Sequence, residues 1–294
     1  MISVCISGLG KTGKEIAKVL LEHEDIKVVS AICSPNSDEK GKDLGDVIGC
    51  RNTGIVLEGS DNLKQIIFRT RPDVVVDFSN PEATLRNAKV FSLMKVNMVI
   101  GTTGFTKLAM KKLFLLAKMN HTGIVYAPNI TMGVNVLMLL TNLAANILND
   151  YDFQITEVHH KHKKDSPSGT ATKIAAEIEK GLQSSGMENE VSKIPIHSVR
   201  AGGVIGKHEV MIIGENDKIE ISHESFSRKA FALGALRAVR FIANKSGYFE
   251  MSDVLNLKKV LNDYLDKDGN SFNKKYIHYI PRLKKDYKDW GEVI

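Results

Sequence analysis

A glycine-rich turn between a predicted strand and a predicted helix restricts the fold of this chain more than any other feature. Residues 2–7, ISVCIS, are apolar and rich in β-branched side chains, which predicts a strand. Six residues follow directly, and three of them are glycines: Gly8, Leu9, Gly10, Lys11, Thr12 and Gly13. Residues 14–23 then place their apolar side chains on one helical face. Glycines let a backbone approach a pyrophosphate, and a helix start offers N–H donors. The pattern predicts a dinucleotide site; an ordinary glycine-rich turn is the alternative.

Strands and helices continue to alternate up to about residue 130. We predict strands at 26–32, 73–78, 97–102 and 123–128, and helices at 61–70, from Pro81, and at 105–119. Such alternation predicts a parallel, doubly wound sheet, in which ligands bind beyond the carboxyl ends of the strands. Small or polar residues follow two later strands there, and we expect them to line a cofactor cleft together with the first turn: Gly101, Thr102, Thr103, Ala127, Pro128 and Asn129.

The end of the second predicted strand bears on the choice of cofactor. Folds that prefer NAD usually place an acid there, about 20 residues beyond the glycines, to bind the ribose hydroxyls. In this chain the position falls at Ser34 and Pro35, and the acids Asp38 and Glu39 come later, in a charged loop. NADH and NADPH therefore both remain open as cofactors.

The pattern changes after residue 131. A long apolar helix is predicted at 131–148, and most later segments are strands, at 152–160, 194–200, 208–214 and 218–225, with helices at 170–183 and 228–244. The fold class is therefore α/β: a Rossmann-like doubly wound parallel sheet, plus a smaller α+β domain with a mixed or antiparallel sheet. A small sheet with one open face commonly packs on a partner, so we expect this sheet to serve oligomerisation.

These patterns divide the chain into three parts. Residues 1–130 are predicted to form a dinucleotide-binding domain, which the chain rejoins at about 240–257. Residues 131–239 are predicted to form a domain for substrate binding and oligomerisation. Residues 258–294 form a C-terminal extension of unknown role, which carries Trp290, the single tryptophan of the chain.

Composition excludes several classes of protein. The chain of 294 residues is 43% hydrophobic and 25% charged, as expected for a globular protein that is not embedded in a membrane. No apolar run reaches the roughly 18 residues of a membrane helix, and the first residues lack the charged start of a signal peptide. Three cysteines without CxxC spacing indicate a reducing compartment, which favours the cytoplasm. A net charge of +6 indicates anionic ligands and is weak support for nucleic acid.

Residues 157–178, EVHHKHKKDSPSGTATKIAAEI, contain the densest group of candidate functional side chains. Neighbouring histidines on a strand point to opposite faces, and no Cys or clear carboxylate completes a set, so we expect no metal. The run lacks the interleaved aromatic residues typical of nucleic-acid binding. Ser168, Gly169 and Thr170 precede a helical pattern, and a helix start beside lysines seats a carboxylate or phosphate. His159 or His160 can carry a proton near neutral pH. A solvated basic loop before a capped helix is the alternative.

Residues 159–171, HHKHKKDSPSGTA, closely resemble the corresponding segment of the 4-hydroxy-tetrahydrodipicolinate reductase family, also called dihydrodipicolinate reductase. The resemblance covers about residues 2–257. It includes these segments: VDFSNPE (76–82), GTTG (101–104), APN (127–129), GVN (133–135), RAG (200–202), GKH (206–208) and YFEMSDVL (248–255).

The resemblance implies an NAD(P)H-dependent oxidoreductase of the diaminopimelate route to lysine. The family reduces a cyclic dicarboxylate, with hydride added to C4, loss of water, and protonation by an active-site acid. It implies His159 and Lys163 as proton donors, and His160, Lys163 and the Ser168-Gly169-Thr170 turn as the carboxylate site. The three strand-end segments would hold the cofactor with Ser34, and the protein would be a homotetramer.

Two departures from the family pattern concern the cofactor. The glycine-rich loop is one residue shorter, and Ser34-Pro35 replaces the acid and basic residue common after the second strand. Loss of the acid predicts that NADPH is used at least as well as NADH. Two alternative functions remain: a related NAD(P)-dependent amino-acid or diamino-acid dehydrogenase, and a non-catalytic nucleotide-sensing homologue.

Overall fold

The computed structural model describes residues 1–185 and 193–266, and the fold consists of two units, each with its own sheet. Of the described residues, the first unit contains 1–135 and 225–257, and the second contains 136–185, 193–224 and 258–266. Residues 225–239, which the sequence prediction placed with the second domain, group with the first unit. The predicted C-terminal extension lies outside the described residues from 267 onward.

The strands are β1 (Ile2–Ser7), β2 (Ile26–Cys33), β3 (Leu57–Gly59), β4 (Val74–Asp77), β5 (Asn97–Ile100), β6 (Gly123–Tyr126), β7 (Asp152–His159), β8 (Ile196–Arg200), β9 (Lys207–Ile213), β10 (Lys218–Glu224) and β11 (Gly247–Phe249). The helices are α1 (Lys11–Leu21), α2 (Leu44–Ile48), α3 (Leu63–Thr70), α4 (Pro81–Leu93), α5 (Lys107–Asn120), α6 (Met132–Ile147), α7 (Gly169–Ser184), α8 (Lys229–Ile242), α9 (Met251–Val254) and α10 (Leu257–Asp266). Among the described residues, no helix is long and apolar enough to cross a membrane.

The first unit contains a parallel sheet in the order β11-β6-β5-β4-β1-β2-β3. The predicted doubly wound sheet is therefore confirmed. One face packs against α1 and α8, and the other against α3, α4 and α5. The strand order reverses between β1 and β4, which is where ligands of such sheets bind.

The second unit contains a mixed sheet in the order β10-β9-β7-β8. β7 pairs with β8 in parallel and with β9 antiparallel, and β9 pairs antiparallel with β10. The predicted mixed sheet is thus confirmed. Alternate residues of β7 are buried, and the last two of them are polar: Phe153, Ile155, Glu157 and His159. A buried acid and a buried histidine on one face call for partners, because unpaired polar groups are costly in a protein interior.

Candidate active site

The first unit carries a cleft at the point where the strand order reverses. Gly8 follows β1 with φ +88, and a Cβ placed on it would lie 2.7 Å from the carbonyl carbon of Phe78, which follows β4. A Cβ on Gly13 would lie 2.0 Å from the carbonyl oxygen of Gly8. Only glycine therefore allows this turn to close between the two strands. The start of α1, with Gly10 as N-cap, has no side-chain cap, which leaves its first amides for a bound anion.

A cavity of about 240 Å³ lies in this cleft. Its lining includes most of the predicted cofactor residues and two that were not predicted: Gly10, Lys11, Thr12, Gly13, Gly101, Thr102, Thr103, Phe78 and Ser79. The residues present fit a dinucleotide, because small side chains and helix-start amides surround the cavity. Phe78 and Ser79 could have been predicted from the sequence, because they follow the buried strand β4, whose end lies beside the glycine-rich turn.

Other predicted cofactor residues lie outside the lining of that cavity. Leu9 is buried in the core, and Ser34 is exposed at the end of β2. Ala127 is buried and donates its amide to the carbonyl of Ile100, while Pro128 is half-buried. Asn129 is buried, and its carbonyl accepts a hydrogen bond of 2.8 Å from the side chain of Asn135.

Asp77 connects the segments that line the cavity. Its Oδ1 accepts hydrogen bonds from the amide and hydroxyl of Ser79 at 3.1 and 2.8 Å. The same oxygen accepts from the hydroxyls of Thr84 at 2.7 Å and Thr102 at 2.9 Å, and Oδ2 accepts from Ser7 at 2.8 Å. These donors come from β1, the β4–α4 connection, α4 and the segment after β5. One buried carboxylate therefore fixes the loops around the cleft.

One acid of the loop after β2, Glu39, forms an ion pair. Glu39 lies 2.6 Å from the ammonium of Lys14 on α1, and β2 ends in Cys33, so the strand end itself provides no carboxylate. Burial raises the pKa of the Cys33 thiol, which keeps it neutral.

The second unit brings together side chains from three strands and the α7 start. Glu157 and His159 lie two residues apart on the buried face of β7, and His208 of β9 lies beside them. The His159 and His208 rings meet edge to face, with centroids 5.2 Å apart. β7 ends at His159, and a turn begins in which the Lys163 amide donates to the carbonyl of His160. The strand ending is what allows neighbouring histidines to depart from strict alternation.

Glu157 is fully buried and accepts hydrogen bonds from three groups. Its Oε1 lies 2.7 Å from the Arg200 guanidinium, 2.7 Å from the Ser198 hydroxyl and 3.0 Å from the Ser168 amide. Its Oε2 lies 2.5 Å from Nδ1 of His159. Burial alone would raise the pKa of Glu157, but the hydrogen bonds from Arg200, Ser198 and Ser168 lower it to about 2. The carboxylate is therefore ionised at any working pH.

The two histidines have different environments. Burial lowers the pKa of His159, Glu157 acts in the opposite direction, and Lys163 and Arg200 add to the lowering. Burial, with the nearby His159, lowers the pKa of His208 to about 4. His208 is therefore neutral near pH 7.

The predicted carboxylate site surrounds the start of α7. Ser168 caps the helix: its Oγ accepts from the amide of Ala171 at 3.1 Å and lies 3.3 Å from Nε2 of His208. Ser168 is buried, whereas Gly169 is exposed and a Cβ there would meet nothing within 4 Å. Thr170 is half-buried in the first turn.

The basic side chains of the preceding loop divide into paired and exposed ones. Lys163 is half-buried, and its ammonium lies 2.7 and 2.8 Å from the two oxygens of Asp165. Arg200 donates to the carbonyl of Asp165 at 2.6 Å, which ties this loop to β8. His160 is half-buried, and His162 is exposed. An incoming carboxylate at Lys163 would share the ammonium with Asp165.

The sequence analysis expected no clear carboxylate to complete a set with the histidines, whereas the structure places Glu157 beside His159 and His208. Their nearest ligand atoms lie within 4.8 Å of one another. Two ligands at roughly 2.0–2.2 Å from a tetrahedral ion lie more than 3 Å apart, whereas Nδ1 of His159 lies 2.5 Å from Oε2 of Glu157. The contact is that of a histidine ring against a carboxylate, and the two atoms lie too close together to be two ligands of one ion.

Comparisons with known proteins agree with both units. Residues 2–130 match the family model for the dihydrodipicolinate reductase N-terminus, and residues 133–255 match the one for its C-terminus. A 4-hydroxy-tetrahydrodipicolinate reductase of Methanococcus aeolicus is 41% identical over 273 residues, which cover 88% of this chain and 100% of the relative. The enzyme of that name from Methanocaldococcus jannaschii is 40% identical over 272 residues, covering 88% and 99%.

A solved structure agrees as well. The dipicolinate-bound dihydrodipicolinate reductase of Paenisporosarcina sp. TG-14 has a TM-score of 0.70 and 29% identity, and the match covers 85% of this chain and 97% of that one. The alternatives of an amino-acid dehydrogenase or a sensing homologue are not favoured by these matches. The predicted resemblance is confirmed: the chain belongs to the 4-hydroxy-tetrahydrodipicolinate reductase family, the NAD(P)H-dependent oxidoreductases also called dihydrodipicolinate reductases.

Proposed function

We propose that this chain reduces 4-hydroxy-tetrahydrodipicolinate to tetrahydrodipicolinate in the diaminopimelate route to lysine. The observation that supports this most strongly is the group formed by His159, Glu157, Lys163 and the α7 start within the second unit. It combines a proton donor, a cation and helix amides, which is what protonation of a dicarboxylate ring requires.

The reaction exchanges a hydroxyl for a hydrogen on the ring. Loss of the C4 hydroxyl with a C3 proton releases water and leaves a conjugated ring. Bound NADH or NADPH supplies the hydride that C4 receives. A proton then returns to C3, and we assign its delivery to His159 with Lys163 as the neighbouring donor candidate. The ionised Glu157 beside His159 stabilises the imidazolium before it gives up its proton.

The carboxylate groups of the substrate are assigned to the opening of α7 and the loop before it. Gly169 and Thr170 supply helix-start amides, and His160 and Lys163 supply side-chain donors. Ser168 contributes by capping the helix, since its hydroxyl lies against Ala171 and His208.

The cofactor is assigned to the cavity of the first unit. The turn Gly8–Gly13 and the start of α1 would hold the pyrophosphate, and residues 101–103 and 127–129 would line the nicotinamide side. We assign the ribose of the adenosine part to Ser34, because such folds bind that ribose at the end of the second strand, which Ser34 follows.

A coupled assay tests the function directly. The substrate is made enzymatically from aspartate semialdehyde and pyruvate, and oxidation of NADH or NADPH is followed at 340 nm. We expect oxidation that depends on this substrate and is inhibited competitively by dipicolinate, the ligand of the Paenisporosarcina relative. If neither NADH nor NADPH is oxidised in a substrate-dependent way, the proposal is refuted.

We also propose that the protein is a cytoplasmic homotetramer assembled through the open face of the second sheet. Side chains of mixed polarity lie on that face, opposite the buried residues, among them Gln154, Val158, Val199 and Met211. All three cysteines are free, which agrees with a reducing compartment. Light scattering after size exclusion should give four times the 32.5 kDa chain mass, about 130 kDa. Met211→Glu should lower that mass; a monomer for the unsubstituted protein would contradict the proposal.

A further inference from the structure

Glu157 is a buried charge whose place in the fold is explained by the histidine beside it. It lies at the centre of the second sheet with a side chain 0% exposed. Burying a carboxylate is costly unless it is fully paired. Three donors surround Oε1. Among the described residues, Oε2 and Nδ1 of His159 are buried without a well-aligned hydrogen bond, and the two atoms lie 2.5 Å apart. Each is therefore the polar partner within reach of the other.

The three donors also fix which oxygen faces the histidine. Arg200, Ser198 and the Ser168 amide come from β8 and from the start of α7, so they hold Oε1 from two directions. The carboxylate has no freedom to exchange its oxygens. Oε2 can only accept a hydrogen bond from its neighbour, because an ionised carboxylate has no donor. Nδ1 of His159 must therefore carry a hydrogen.

The other edge of the His159 ring borders a glycine. A Cβ on Gly206 would lie 3.1 Å from Nε2 of His159, so only backbone flanks this nitrogen there. When Nδ1 is held by Glu157, Nε2 is the nitrogen that can release a proton. We propose that Glu157 is a positioning residue that fixes the tautomer and orientation of His159, so that Nε2 delivers the proton to the ring. This inference rests on the proposed function.

The charged groups around His159 define how the pair behaves with pH. They are Glu157 on β7 itself, Arg200 on β8, His208 on β9 and Lys163 in the following loop. Among these, Glu157 is the group that favours the imidazolium, while Lys163 and Arg200 oppose it. Removing the charge of Glu157 must therefore lower the pKa of His159 further.

Glu157→Gln is the sharpest substitution, because the site determines how the amide orients. The three donors require an acceptor at the Oε1 position, so the amide oxygen stays there and the NH₂ group faces Nδ1 of His159. Nδ1 must then accept a hydrogen bond, which favours the neutral ring over the imidazolium. We expect kcat to fall about 100-fold, in the range typical for loss of a general acid. KM for the ring substrate should change less than threefold.

The pH profile separates positioning from a merely structural role. If protonated His159 is the active form, kcat declines as the pH rises through its pKa, and in Glu157→Gln that decline should move to lower pH. Ser198→Ala is the matched control: it removes one donor to Oε1 and leaves the contact with His159. It should lose stability but keep the pH profile. Equal shifts in both variants, or a Glu157→Gln kcat within twofold of the unsubstituted enzyme, would overturn the proposal.

A second measurement does not depend on turnover. In protein labelled with ¹⁵N-histidine, the His159 signals are assigned by their loss in His159→Gln. Neutral His159 should carry its hydrogen on Nδ1 in the unsubstituted protein and on Nε2 in Glu157→Gln. An Nε2–H tautomer in the unsubstituted protein would refute the pairing. If the tautomer is as expected but no reduction occurs, the proposed function fails while the Glu157–His159 pair stands.

Discussion

The hydrogen bonds of Asp77 predict that one substitution will impair cofactor binding from outside the cavity lining. Asp77→Ala removes the acceptor for five hydrogen bonds, which join Ser7, Ser79, Thr84 and Thr102. At roughly 1 kcal/mol for each net hydrogen bond, the full loss would be about 5 kcal/mol. The hydroxyl of Thr84 already lies 3.2 Å from that of Ser79 and 3.2 Å from that of Thr102, so these hydroxyls can pair with one another in part. We therefore expect a stability loss of about 3–4 kcal/mol.

Asp77→Asn should be far milder. The amide oxygen can take the place of Oδ1, with its four donors, and the NH₂ group can donate to the hydroxyl of Ser7. All contacts then survive without the assistance of the charge, so we expect a loss of stability of about 1 kcal/mol.

Because Ser79 and Thr102 line the cavity, NADH should bind about tenfold more weakly to Asp77→Ala, a change of about 1.4 kcal/mol.

Asp73 provides a matched control at the opposite end of the same sheet. Its carboxylate accepts hydrogen bonds from the amide and hydroxyl of Ser3 at 2.7 and 2.6 Å, close to the amino end of β4. Asp73→Ala should lose stability without a change in the NADH Kd. Urea denaturation gives the stability, and calorimetric titration below the unfolding range gives the Kd. An Asp77→Ala variant that binds NADH within twofold of the unsubstituted protein would refute the reasoning, as would an equal weakening in Asp73→Ala.

Four further outcomes are expected. His159→Gln should lower kcat about 100-fold or more, with His162→Gln as the exposed control; an unchanged kcat would remove His159 as proton donor. Lys163→Ala should lower kcat by a similar factor and raise KM for the ring substrate, because a carboxylate contact is lost; a KM left unchanged would contradict that contact. NADPH should be used at least as well as NADH, and a much higher kcat/KM with NADH would refute this. Burial lowers the pKa of His208 to about 4 in the folded state, below its unfolded value of roughly 6.5. Between these values the unfolded chain binds a proton that the folded chain does not, so stability should decline as the pH falls from 6.5 to 4, by up to roughly 3 kcal/mol. His208→Gln should flatten that decline, and an unchanged slope would show that His208 is not its source.

The long elements of the fold could be predicted from periodicity alone. β1, β2, β4 and β7 each have an apolar pattern of adequate length, and Asn80 caps α4 as its sequence predicts. β3 and β11 could not be found in this way, since each has three residues. β11 pairs with β6 from more than 120 residues away. Pairing of such short strands depends on the finished sheet rather than on local propensity.

The helix α2 was also missed, since the sequence analysis predicted no element between the charged loop of Asp38 and Glu39 and the helix at 61–70. It has five residues, and its start depends on Asp43, whose carboxylate accepts from the Gly45 amide at 2.7 Å and from the Thr53 amide at 2.9 Å. The second of these contacts spans ten residues. A helix this short is stabilised by such contacts rather than by propensity.

Only those residues of the candidate site that lie close together in the sequence could be predicted. His159, His160, Lys163 and Ser168 belong to one continuous segment, so one motif predicted them together. Arg200 and His208 reach the same group through the registers of β8 and β9, in which His159 opposes Arg200 and Glu157 opposes His208. Strand register depends on the packing of whole faces, and a single sequence does not contain it directly.

Glu157 and Asp77 nevertheless share a pattern that can be recognised in a sequence. Each is an acid on an otherwise apolar, buried strand face near its carboxyl end: VVVD in β4, and Phe153, Ile155, Glu157 in β7. An acid at such a position has to be paired, because leaving it unpaired costs more than a strand of that length can offset. Its donors must come from segments that the chain brings to the strand end, and in a parallel sheet those segments are the binding loops. An acid that interrupts a buried apolar strand at its carboxyl end therefore predicts a residue that holds functional loops in place, even where no contact with a ligand is expected.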